Sequence, residues 1–164
     1  SSTPTKDRSL DRILEKVELV EADNKVALFK KKPTPLTPSQ KEFNKCVEIL
    51  TQINNDGKSK EEMNDISTRE LCSFFSLSYY KIYQFNCIDY NYFNAKTTFE
   101  NLKNNFNLET NIDVMLLLCK TIDMFSQVKQ SLNLKDDVPT LSTVKQRWII
   151  GEVISPSGKF EGFY

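Results

Sequence analysis

The chain has 164 residues, 22 basic and 22 acidic side chains, only four glycines, and 39% apolar residues. This balance fits one globular domain or two small ones, and it excludes collagen-like, linker-like and duplex-coating cationic proteins. Histidine is absent, which removes the commonest general base and metal ligand, and no phosphate-binding glycine loop, dinucleotide fingerprint or nucleophile elbow replaces it.

The sequence therefore asks for no catalytic residue, no cofactor and no metal, and we read it as non-enzymatic. No apolar run approaches the roughly 18 residues of a membrane span. The chain opens on Ser1 with no leader-like segment, which reads as a piece of a longer protein. Cys46, Cys72, Cys87 and Cys119 are too widely spaced for a zinc ligand set and sit among apolar neighbours. They are expected as buried thiols in a reducing compartment.

In chain order, residues 1–6 are polar. Leu10, Ile13, Leu14 and Val17 recur at helical spacing, with Asp7 or Ser9 available as the cap. Val17, Leu19, Val26 and Leu28 then alternate around Ala22-Asp23-Asn24-Lys25, which predicts a β-hairpin over 17–29. Pro33, Pro35 and Pro38 follow Lys30, Lys31 and Lys32. Proline lacks an N–H and restricts the residue before it, so no regular element crosses this stretch.

Thr37 caps the next helix with Pro38 in its first turn, and Phe43, Cys46, Val47 and Leu50 form its apolar stripe until Asn54-Asn55-Asp56-Gly57 stops it. Ser67-Thr68-Arg69-Glu70 has the spacing of a capping box. Leu71, Phe74, Phe75, Tyr79, Ile82 and Tyr83 follow, then an aromatic loop over Cys87–Asn94 and a helix carrying Phe99, Leu102, Phe106 and Leu108. The broad apolar face over 111–132 predicts a central buried helix. Val138-Pro139-Thr140 is a second break, followed by a helix over 141–148 and a hairpin over 149–164 about Ser155-Pro156-Ser157-Gly158.

Helix followed by hairpin thus occurs twice, over 9–29 and 141–164, as in the last third of a winged-helix domain. The expected fold class is mainly α with short β-hairpins, an α+β and winged-helix-like fold, possibly tandem. The expected organisation is a first unit over 1–32, a Pro/Thr linker over 33–40 and a larger unit over 41–164. Within 66–85, Ser76-Leu77-Ser78 has the order of a helix-turn-helix turn, although without its usual glycine. Such a motif would present Ser78, Tyr79, Tyr80, Lys81 and Gln84 to a duplex.

Ten aromatic residues lie between Phe74 and Phe99, too many for so small a domain to bury. Exposed aromatics serve single-stranded bases or protein partners. The nearby acids Asp65, Glu70, Asp89 and Glu100 outnumber Lys81 and Lys96, which favours protein. The candidate docking patch is Tyr79, Tyr80, Tyr83, Gln84, Tyr90 and Tyr92. One of Tyr79 and Tyr83 must turn inward with Ile82, leaving Tyr80 and Gln84 outside. Candidate nucleic-acid contacts are Lys30, Lys31, Lys32 and Lys81, for weak single-strand binding at most. Thr3 and Thr37, each before a proline, are candidate phosphosites.

The segments Leu10–Lys32 and Lys145–Tyr164, about a quarter of the chain, resemble the C-terminal tandem winged-helix region of the middle subunit of the CST telomere complex, which is similar to that of replication protein A. The middle, 59–135, departs from that family in length and composition. The resemblance implies a nuclear, non-enzymatic module of a telomere or replication assembly, docking polymerase or telomerase machinery, with no membrane and no small-molecule substrate. A helix-turn-helix duplex reader and a wholly helical adaptor, with a bundle over 38–132, are the alternatives.

Overall fold

The first N–H groups of a helix have no partner within it, and a hydroxyl or amide just upstream can supply one. In the computed structural model, which describes residues 8–20, 36–146 and 151, five helices open in this way. Thr37 caps α2 (Pro38–Asn55) and Ser67 caps α3 (Thr68–Tyr83), each as a full capping box with Gln40 and Glu70 respectively. Asn91 caps α4 (Tyr92–Asn105), Thr110 caps α5 (Asn111–Leu132) and Thr140 caps α6 (Leu141–Val144). α1 spans Arg8–Lys16, and a 3-10 turn occupies Lys60–Glu62.

Two aspartates extend this capping across the fold. Asp65 accepts from the Asn111 and Ile112 N–H groups at the start of α5, both at 3.0 Å. Asp89 accepts from the Leu141 and Ser142 N–H groups at the start of α6, again at 3.0 Å. Each carboxylate meets both the bare N–H groups and the positive end of the helix. Loops distant in sequence are thereby fastened to the helices they touch.

The helices pack around one core. α2 lies along α3, α1 lies on α5 and α2, and α3 touches α1, α2, α4 and α5. Buried side chains from every helix form a single cluster, from Leu10, Ile13 and Val17 through Phe43, Phe75 and Met115 to Leu141 and Val144. Pro38, Ser39 and Gln40 of the expected 33–40 linker form the first turn of α2, and α1 and α2 both contribute to this core. Arg12 of α1 clamps Asp123 of α5, with Nε and Nη2 donating at 2.7 to 3.0 Å. α5 has the broad buried face foreseen for it, and the most extensive helix–helix contact is between α2 and α3. All four cysteines are buried thiols, and burial pushes Cys46 and Cys72 up to about 12 and Cys87 to about 11.

The expected α+β, winged-helix-like class is wrong: the described residues form helices and contain no strand. At the first predicted hairpin, the Val17 N–H donates to Ile13 O at 3.0 Å, so Val17 completes a helical turn. The alternation that suggested a strand is satisfied differently. Asn44 of α2 offers its side-chain amide to Val20, accepting from its N–H and donating to its carbonyl at 2.8 Å each. One amide thus meets the demand a neighbouring strand would have met. The rest of that hairpin lies outside the described residues, as does the hairpin at 149–164 apart from Gly151, which is helical. The helix expected over 141–148 ends at Val144.

The helix-turn-helix is also corrected. Ser76, Leu77 and Ser78 lie inside α3, which runs unbroken from its Ser67 cap to Gln84. No glycine or proline interrupts this segment, and its apolar spacing stays helical throughout. Helix α3 instead stops where Gln84 adopts the left-handed conformation, φ 66°, with its N–H on Tyr80 O at 2.8 Å.

Candidate protein-docking surface

The fold sorts the aromatic residues of 74–99 into two sets. Phe74, Phe75, Tyr79 and Phe99 are buried. Phe75 is their hub, with ring centroids 5.4 Å from Phe99, 5.7 Å from Tyr79 and 6.2 Å from Tyr90. From Tyr79 the rings continue to Tyr83 at 4.6 Å, and both Tyr79 and Tyr83 meet Phe85 at 6.2 Å. A line of rings therefore runs from the core to Phe85, which is half exposed.

Phe85 opens the connection between α3 and α4, where exposure rises sharply. Ile88 is 89% exposed and Phe93, in the first turn of α4, is 77% exposed, with Tyr92 half exposed between α4's cap and Phe93. Such large apolar groups in one short stretch leave unfavourable contact with water uncompensated within the domain.

The connection is nevertheless held in place. Besides its two bonds to the α6 backbone, the Asp89 carboxylate accepts from Ser142 Oγ at 3.2 Å and from Cys87 Sγ at 3.1 Å. The Asp89 carbonyl accepts from Asn94 Nδ2 at 2.8 Å, and Tyr90 N–H donates to Cys87 O at 3.1 Å. Burial works to raise the Asp89 carboxyl, but the Leu141 N–H, Cys87 and Ser142 together hold it below the ordinary carboxylate value. The Tyr79 hydroxyl donates to Pro139 O beneath the same connection. Burial, with Cys87 and Tyr83 nearby, keeps that phenol well above its usual range, so it stays a donor.

Between this connection and residues 136–140 lies a groove of about 620 Å³. Tyr79, Phe85, Ile88 and Val138 give it apolar walls, and Asp136 and Asp137 line it on the opposite side. A separate recess of about 270 Å³ is lined by Ser39, Arg69, Cys72, Ser73, Tyr90 and Tyr92.

The six residues of the predicted patch are therefore split. Tyr79 is inside, Tyr83 and Tyr90 are part-buried, and Tyr80, Gln84 and Tyr92 are exposed. Tyr90 donates to Cys72 O at 3.4 Å. The duplex-reading set has no common surface, because Ser78 and Tyr79 are each 1% exposed. The Lys81 ammonium sits 5.6 Å from the centre of the Phe43 ring, a cation–π contact. Thr37 is exposed, but its hydroxyl accepts from Gln40 N–H as the α2 cap. Lys30, Lys31, Lys32 and Thr3 lie outside the described residues.

Sequence reasoning passed over Ile88, the most exposed of these apolar side chains. The signal was present: an aliphatic residue in a connection too short to fold back has no helix face to turn inward. Among the described residues, no group of three or more cysteine and carboxylate side chains could hold a metal, and no helix is long and apolar enough to cross a membrane. Comparison with protein-family models, curated proteins and solved structures gives no match for this chain.

Proposed function

We propose that this domain is a non-enzymatic helical interaction module that docks a protein partner through its α3–α4 connection. The observation that carries this reading is the exposure of Ile88, on a connection fastened to α6 by Asp89, and of Phe93 in the first turn of α4 that follows it. An apolar side chain that is ordered before binding loses little entropy on contact, and burying one fully yields roughly 1.5–3 kcal/mol.

Charge selects protein over nucleic acid. Asp136 and Asp137 line the apolar groove and no lysine or arginine among the described residues does, and carboxylates there repel a phosphate backbone. This is the helical-adaptor class. Its setting in a nuclear telomere or replication assembly is carried by the sequence resemblance alone.

The test is the double substitution Ile88→Asp and Phe93→Asp in the tagged full-length protein, isolated from its own cells with bound proteins identified by mass spectrometry. Loss of a specific partner with an unchanged melting temperature is the expected result. An unaltered set of bound proteins rejects this surface.

A further inference from the structure

We propose that the groove between the α3–α4 connection and residues 136–140 receives a basic, apolar-anchored peptide segment: one large aliphatic or aromatic side chain flanked by lysine or arginine. This rests on the docking reading above and names the chemistry of the partner there.

Phe85 and Ile88 line one side and Val138 the other, over the Tyr79 ring. At about 620 Å³ the space suits a few side chains, within the usual range for ligand clefts. Both sides are fixed before anything binds. Asp89 ties the connection to Leu141 and Ser142, and the Tyr79 hydroxyl holds the Pro139 carbonyl. Lys129 holds Asp137 from the last turn of α5. A groove whose walls are already ordered spends little entropy on accepting an anchor.

The sign of the partner follows from the rim. Asp136 and Asp137 are both exposed. Asp137 has Lys129 as its counter-ion, whereas Asp136 makes no hydrogen bond or ion pair with a described residue. The groove therefore presents beside an apolar hollow one carboxylate with no cation paired to it among the described residues. A lysine or arginine next to the anchor pairs with Asp136, while an acidic segment or a nucleic-acid strand meets repulsion.

The probe is a random 16-residue peptide library displayed on phage and selected against the full chain. Enriched peptides are then labelled and titrated by fluorescence polarisation against the unaltered chain, Ile88→Asp and Asp136→Lys. The expected peptides carry a large apolar residue within four positions of at least two lysines or arginines. Ile88→Asp abolishes their binding, and Asp136→Lys weakens it at least about fivefold while leaving the Lys129–Asp137 pair intact. Raising salt from 0.05 to 0.3 M weakens it further. Neutral or acidic peptides that need Ile88 but ignore Asp136→Lys overturn the basic chemistry and leave the docking reading standing. Failure to enrich any peptide that depends on Ile88 overturns both.

Discussion

The inner face of α3 and the connection that follows it hold the same kinds of side chain under opposite conditions. On α3, helical spacing turns Leu71, Phe74, Phe75 and Tyr79 toward α2, α4 and α5, and each is at most 1% exposed. Past Gln84 the chain leaves α3, and Phe85 and Ile88 in the connection, with Tyr92 and Phe93 at the start of α4, stay between half and nine-tenths exposed. Yet the connection is bonded to its surroundings through backbone and carboxylate groups, especially at Asp89. Order there comes from polar bonds, and its apolar groups are left available. The lesson is that aromatic density in a sequence does not mark a surface; the end of the helix that organises it does.

The largest expected effect separates two adjacent tyrosines. Tyr79→Ala removes a buried ring and its bond to Pro139, and should cost about 3–5 kcal/mol. Tyr79→Phe keeps the ring but leaves the Pro139 carbonyl without that donor, at about 1–2 kcal/mol. Tyr80→Ala, on a half-exposed side chain, should cost under about 1 kcal/mol. Urea unfolding of the three variants measures the order. Equal losses at 79 and 80 would erase the contrast between inner and outer sets.

Much of this contrast was legible in the sequence, and the limits have physical causes. The Thr37 cap, the Ser67 capping box and the boundaries of α5 follow from local chemistry that acts within four residues. Tyr80 and Gln84 face outward and Tyr79 inward, in the phase that helical spacing imposes. The hairpin over 17–29 was misread at its start because Asn44, 24 residues away from Val20, supplies the strand-like bonds. Composition near Val20 carries no trace of that partner. Asp89 was equally opaque, since its role depends on α6 more than 50 residues later.

A smaller effect concerns pH. The Asp89 carboxyl is held below its ordinary value, so its contribution is present above the unfolded value near pH 4 and is lost as pH falls through the folded value. Asp113 and Glu70 are also depressed, so overall acid unfolding does not isolate Asp89. Amide exchange at Leu141 and Ser142 does. Exchange at both should accelerate below about pH 4 beyond the intrinsic trend. Asp89→Asn should show faster exchange already at neutral pH and no such acid step. If Asp89→Asn protects these amides as well as the unaltered chain does, the connection is not fastened through this carboxylate.

The smallest perturbation of the fold carries the most weight for function. A photo-crosslinking amino acid is placed at Ile88, or at the exposed Gln127 on α5, in the full-length protein within its own cells. Adducts are then identified by mass spectrometry. One dominant partner protein is expected to link through position 88, to be absent from position 127, and to be lost when Phe85 is also changed to Asp. Adducts from position 88 only to the protein's own chain, or the same set of adducts from both positions, would contradict the docking reading.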